Sequence, residues 1–170
     1  MSSASNDRIA LIALGSNLGD SVCALSDAIE LLERFSAKPI IPSSFWRSTP
    51  VDCPPASPDF VNAAAVLTPF PKETPESLLE KLKSLETHFG RRPKLVLNEP
   101  RPLDLDLIAF GHEVRSSATL TLPHPRAHLR QFVLAPLAEI APDFRLPGQP
   151  KTIAELLAAL PNQGARKIGR

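Results

Sequence analysis

The sequence predicts a ferredoxin-like α+β sandwich: an antiparallel sheet with helices on one face, the active site on the other, and further helices at the C-terminal end. Three observations carry this prediction. Hydrophobic periodicity switches between two and about 3.6 residues in the order β-α-β-β-α-β. Both helical stretches open on a capping residue and bury one apolar stripe. The last strand of the series, "RPLDLDLIAF" at 101–110, has one face of leucines and another of acids. An antiparallel sheet with one solvated face would show that pattern.

Residues 8–14, "RIALIAL", read as a buried strand stopped by "GSNLGD". Asp20 or Ser21 caps a helix over 21–35, with Leu25, Ala28, Leu32 and Phe35 as its inner stripe. Residues 38–47 read as one strand ending near Phe45 and Trp46, with Trp46 in the core. Seven of the 19 prolines fall between Pro50 and Pro75, around "PVDCPPASPDF", and stiffen long loops. A strand runs from Phe60 to Thr68. Thr74-Pro75 starts a helix to Phe89, with Leu78, Leu82, Leu85 and Phe89 inward and Gly90 as its stop. In the strand at 101–110, Leu103, Leu105, Leu107 and Ala109 share one face at period two. Residues 112–122 give short hairpin strands, a helix lies near 126–138, and "TIAELLAAL" forms the last one. Residues 1–7 and 163–170 read as flexible tails.

At 170 residues and 43% hydrophobic, the chain has the size and apolar content of a single domain. A net charge of +1 supplies no field for capturing nucleic acid or an anionic membrane. Cys23 and Cys53 form no C-x-x-C pair and read as reduced thiols of the cytosol. "MSSASNDR" has no apolar core of a signal peptide, and "IALIAL" is too short for a membrane span. A soluble, cytoplasmic monomer acting on small molecules is therefore expected.

Asp104 and Asp106 are the strand's anomaly, since Asp is a poor strand former and like charges at i and i+2 repel. Two hard oxygen donors so placed suit Mg²⁺ shared with substrate phosphates. Arg91, Arg92, Lys94 and Arg101 stand just upstream against a single Glu99, which suits a polyphosphate. There is no Walker loop, and "GSNLGD", lacking Lys-Ser/Thr, reads as a turn. In "LPHPRAHLRQF", His124 and His128 have zinc-like spacing, but Pro123 and Pro125 oppose a helix there and no third ligand follows. Phosphate contact by His124 and Arg130 fits better. Phe60 and Asn62 share a strand face with Val61 opposite, and an aromatic beside an amide suits a flat heterocycle. Taken alone, Phe60 reads as a core residue.

"ALGSNLGD", "PDFVNAA", "LETHFGR", "PRPLDLDLIAFG" and "LPHPRAHLRQFVLAPLAEIAPD", in that order over residues 8–148, closely resemble the 6-hydroxymethyl-7,8-dihydropterin pyrophosphokinase family. The resemblance implies pyrophosphate transfer from ATP to the pterin hydroxymethyl group in folate biosynthesis, with two Mg²⁺ ions. It implies Asp104 and Asp106 as metal ligands, and Arg91 and Arg101 as the cations acting on the phosphates. Phe60 and Phe132 would sandwich the pterin, Asn62 would read its edge, and Gly15, Ser48 and Val51 would complete that pocket. Glu86, Arg92, Leu107, His124 and Arg130 would meet ATP. Departures from the family pattern are Asn98-Glu99 where many members have Trp-Gly, adjacent Arg91-Arg92 followed by Pro93, Ser48 for Thr, and Pro125 after His124. Two other classes stay open at this point: a different two-metal nucleotide-dependent transferase, and a non-catalytic ferredoxin-like ligand-binding domain. The segment 91–101 carries four cations beside Leu95-Val96-Leu97 and is expected to be a lid whose cations lack partners until substrates bind.

Overall fold

The computed structural model describes residues 8–93 and 95–169; Lys94 and the terminal stretch 1–7 lie outside the described residues. Strands β1 (Ala10–Ser16), β2 (Ile41–Pro42), β3 (Phe45–Ser48), β4 (Phe60–Leu67), β5 (Asp104–Phe110) and β8 (Arg166–Gly169) form one sheet. Its order is β5-β1-β4-β3-β8, with β2 also beside β4, and every pairing is antiparallel. Strands β6 (Arg115–Ser116) and β7 (Thr121–Leu122) make the expected hairpin.

Helices α1 (Ser21–Leu32) and α2 (Pro75–His88) cover one face. Asp20 caps α1, and Thr74 with Ser77 forms a capping box on α2. Leu25, Leu32, Leu78 and Leu82 from these helices pack on Ile12, Leu14, Val61, Leu105 and Leu107. Helices α3 (Gln131–Ile140) and α4 (Ile153–Ala159) lie on the opposite face. Their Val133, Leu134, Leu137, Ile153 and Leu156 form a second core with Leu11, Ala64, Val66 and Ile108. So the C-terminal helices cover part of that face and leave Asp104, Asp106 and Gly15 lining cavities beside them.

Four sequence expectations change. The strand over 38–47 is broken into β2 and β3, because the Ser43 hydroxyl accepts the Ala64 amide at 2.8 Å where a strand carbonyl would stand. Trp46, on β3 between β4 and β8, is half-buried rather than in the core, and its indole N–H donates to Glu139 Oε1 of α3. In β5 the register against β1 shifts between Leu11 and Ile12, whose partners are Ala109 and Leu107. This bulge makes Ile108 an extra residue, so Ala109 joins the α3 core while Leu103, Leu105 and Leu107 stay on the α2 face. Finally, the stretch expected to be a C-terminal tail contains β8, paired with β3. Arg170 lies outside the described residues. Among the described residues no helix is long and apolar enough to cross a membrane.

Candidate active site

The sheet itself lays out the site. Asn62 on β4, Gly15 on β1 and Asp104 on β5 are direct cross-strand neighbours, and Ala64, Ala13 and Asp106 form the next row. Small residues on the central strand leave the acids open above it. Asp104 is met by two arginines from the flanking loop: Arg91 Nη1 is 2.7 Å from its Oδ1 and Arg101 Nη1 is 3.5 Å from its Oδ2. Arg91 also lies 2.9 Å from Glu86 Oε2, an oxygen that accepts the Leu105 amide at 2.8 Å. The expectation of unpartnered cations is thus corrected for Arg91 and Arg101, which Asp104 neutralises.

Asp106 differs from its neighbour. Burial raises its carboxyl to about 7, helped by the charges of Asp104 and Glu86, against the opposing pull of Arg130 and Arg91. Burial likewise raises Glu86. Asp104 and Asp106, two carboxylates on one strand face of which the second resists ionisation, form a pair whose oxygens a divalent cation would satisfy. His124 is pushed down by burial and then by Arg130. Its Nδ1 accepts the Arg126 amide at 3.2 Å, leaving Nε2–H as a donor. The bulge at Ile108 has a use here, because the Ile108 carbonyl accepts the His124 amide at 2.9 Å.

A cavity opens on one side of the acids, lined by Gly15, Ser48, Val51, Phe60, Asn62 and Phe132. These are the six residues expected to hold the pterin. Asn62 is buried and its amide donates to Ser48 Oγ at 2.7 Å, so one amide orientation is held. A Cβ at Gly15 would stand 3.5 Å from Asn62 Oδ1 and from the Phe60 ring, inside the space between them. The Arg101 guanidinium lies over Phe60 at 5.6 Å and that of Arg130 over Phe132 at 5.5 Å. Each ring is thereby braced by a cation.

On the other side a second cavity is lined by Glu86, Arg91, Leu107, His124 and Arg130, with Lys83 and Thr121. The two cavities share Arg101, Asp104, Asp106, Arg126 and Arg130. Arg92 lines neither: it is exposed beside an apolar groove with Leu18, Phe89 and Pro102. Arg126 and Lys83 escaped the sequence reading. Arg126 stood inside a quoted motif without a role, whereas Lys83 is one more exposed-face helix residue until α2 is folded.

The 91–101 loop is tied down at two points. Buried Asn17 accepts the Arg101 amide at 2.9 Å through Oδ1 and donates to the Pro58 carbonyl at 3.2 Å. Asn98 Nδ2 donates to the Asp52 carbonyl at 2.7 Å, linking the loop to the proline-rich segment. The tip itself, Leu95 to Leu97, is exposed, with Leu95 at 92%.

A model of the family 7,8-dihydro-6-hydroxymethylpterin-pyrophosphokinase (HPPK) matches residues 11–142. The chain belongs to this family. Among curated relatives named 2-amino-4-hydroxy-6-hydroxymethyldihydropteridine pyrophosphokinase, that of Synechocystis is 39% identical over 148 residues, 87% of this chain and 74% of the relative. That of Haemophilus influenzae is 39% identical over 149 residues, 87% of this chain and 90% of the relative. The Pseudomonas aeruginosa one is 37% identical over 158 residues, covering 92% and 94%. An HPPK-DHPS solved in complex with substrates shares the fold at a TM-score of 0.73 and 13% identity. That likeness covers 94% of this chain, which spans 46% of that longer chain.

Proposed function

We propose that the chain transfers the pyrophosphoryl group of ATP to the hydroxymethyl oxygen of 6-hydroxymethyl-7,8-dihydropterin, giving AMP and the pterin diphosphate. The observation that carries this reading is the junction itself: two cavities of different chemistry meet at Asp104 and Asp106, with arginines on both sides. The first cavity offers two aromatic rings and a fixed amide, which suit a flat pterin. The second offers Arg91, Lys83, His124 and Arg130, which suit a triphosphate, beside Leu107, which suits an adenine. Family membership favours this over a different two-metal transferase or a non-catalytic binding domain.

Attack of the hydroxymethyl oxygen on the β-phosphorus forms one P–O bond as the bond from that phosphorus to the α,β-bridging oxygen breaks; AMP leaves with the bridging oxygen, and the hydroxyl proton passes to solvent water. The role of the protein is positioning and charge stabilisation. Phe60 and Phe132 hold the pterin ring, and Asn62 orients its edge. Arg91 and Arg101, at the junction, can exchange Asp104 for phosphate oxygens. His124 Nε2–H and Arg130 add donors to the phosphates. Asp104 and Asp106 would hold two Mg²⁺ ions. Among the described residues no third side chain closes a metal cage around them, so substrate oxygens and water would fill the remaining positions. Such ions, when bound, neutralise charge developing on the phosphoryl oxygens. The same reading takes the chain as one pyrophosphokinase domain, a cytoplasmic monomer without nucleic-acid or membrane partners.

The test is AMP release from Mg-ATP with and without the hydroxymethyl pterin. Pterin-dependent AMP in one-to-one ratio with pterin diphosphate is expected; AMP release indifferent to pterin would overturn the reading.

A further inference from the structure

Helix α3 begins at Gln131 and has no cap from its own sequence: its N-cap is Arg130, which makes no side-chain cap bond. By contrast, Asp20, Thr74 and Thr152 cap α1, α2 and α4. The first amides of a helix must be satisfied from somewhere. For α3 the partner comes from far along the chain, because Gln163 Oε1 accepts the Gln131 amide at 2.9 Å. The arrangement is reciprocal. Gln131 Oε1 accepts the Gln163 amide at 2.9 Å and the Ala165 amide at 3.0 Å, and Gln163 Nε2 donates to the Leu129 carbonyl at 3.0 Å. A turn at Gly164, with φ of +89°, lets both glutamine contacts close.

What this clamp holds matters more than the clamp. Arg130 and Phe132 flank Gln131, and both line the first cavity. Immediately after the clamp the chain enters β8, which pairs with Phe45, Trp46 and Arg47 of β3. Strand β3 ends in Ser48, the hydroxyl that receives the Asn62 amide. The segment 163–169 therefore joins two walls of the cavity, α3 and β3, while lining neither cavity itself.

We propose that Gln131 and Gln163 are positioning residues for the pterin: by capping α3 from the C-terminal segment they fix Phe132 and Arg130 against the Phe60 wall. The proposal rests on the functional reading above. Without the clamp, the first turn of α3 loses a partner for its leading amide and for the Leu129 carbonyl. Phe132 must then be ordered at the moment of binding, which weakens affinity without removing a ligand contact.

The experiment compares Gln131→Ala, Gln163→Ala and Gln131→Glu with the unmodified chain. Gln131→Glu keeps an oxygen for both amides and adds a negative charge that the helix N-terminus tolerates. Binding of a pterin analogue and of ATP is measured by calorimetry, alongside amide exchange at Gln131 and Ala165. Expected for both alanine variants is a loss of pterin affinity of about 3- to 10-fold. The pterin KM should rise more than kcat falls, exchange should quicken at Ala165 in Gln131→Ala and at Gln131 in Gln163→Ala, and the melting temperature should barely move. Gln131→Glu should restore pterin binding to within about twofold of the unmodified chain. Quickened exchange with unchanged pterin affinity would overturn the positioning role, and unchanged exchange would overturn the clamp. Failure of the unmodified chain to bind the pterin analogue would instead overturn the functional reading, with the exchange result still judging the clamp.

Discussion

Arg91 Nη1 stands 2.7 Å from Asp104 Oδ1, so a cation following α2 neutralises the first acid of β5. The pair is partly buried, and Arg91 also holds Glu86 at 2.9 Å. A phosphate arriving at the junction competes with Asp104 for Arg91. It thereby frees the carboxylate for a cation at the same time as it gains the guanidinium. One exchange thus serves both the proposed metal site and the proposed phosphate contact.

Arg91→Ala should therefore lower kcat far more than it weakens either substrate, because its phosphate contact forms only when that exchange has happened. A loss of roughly 10²- to 10³-fold in kcat is expected, as for removal of one transition-state donor. Steady-state kinetics with both substrates varied decides it. A change confined to KM would mean that Arg91 binds the ground state and has no special part in transfer.

Asp104→Asn and Asp106→Asn should each reduce turnover by orders of magnitude while the fold survives. Asp106 adds a pH signature. Its carboxyl titrates near 7 in the folded chain, above the ordinary carboxylate range, because burial and the charges of Asp104 and Glu86 oppose ionisation. The folded protein then holds a proton that the unfolded chain has lost between about pH 4 and 7, so this group makes stability fall as pH rises through that window. In metal-free buffer, Asp106→Asn should melt with the unmodified chain near pH 4 and a few degrees above it near pH 8. Equal melting temperatures at both ends would show that Asp106 ionises without penalty.

The β-α-β-β-α-β frame was legible because each element carried its own local signal: Leu25, Ala28 and Leu32 at helical spacing, Thr74-Pro75 at a helix start, and alternating leucines in β5. The acids were legible for the opposite reason, since Asp104 and Asp106 break the rules of the strand they sit in. What stayed hidden was long-range. Ala109 kept perfect period two in sequence, and only pairing with β1 exposes the bulge at Ile108. Strand β8 and Gln163 lacked an apolar pattern because they are held by hydrogen bonds rather than by burial. Arg92 looked equivalent to Arg91, yet Gly90 ends α2 with φ of +93° and the two side chains part, one into the acids and one outward.

Phe132→Ala should weaken binding of a pterin analogue by roughly 1–3 kcal/mol, by analogy with loss of a base–aromatic stack. ATP binding should change little, because Phe132 lines the first cavity and not the second. Calorimetric titration with each ligand separately checks this. A loss restricted to ATP would assign the ring to the nucleotide side.

The final prediction concerns the loop before β5. Asn98 and Asp52 both adopt left-handed backbone, with φ of 55° and 52°, and the Asn98 amide bonds the Asp52 carbonyl. Both residues border the cavity expected to receive the pterin. Within the tip the Glu99 amide donates to the Val96 carbonyl at 3.3 Å. Glu99 accepts the Leu95 and Val96 amides at 3.3 Å each, and the apolar side chains between them are exposed. Asn tolerates the left-handed conformation, as glycine does, so Asn98→Gly removes the bond without adding strain. If the bond latches the loop over bound pterin, Asn98→Gly should raise the pterin KM several-fold, an effect of about 1 kcal/mol for one hydrogen bond. Amide exchange across 95–99 should be fast in the isolated chain and slow markedly with Mg-ATP plus a pterin analogue. In Asn98→Gly that slowing should be weaker. Strong protection without ligand, unchanged when both are added, would show a static loop and leave Asn98 a turn residue alone.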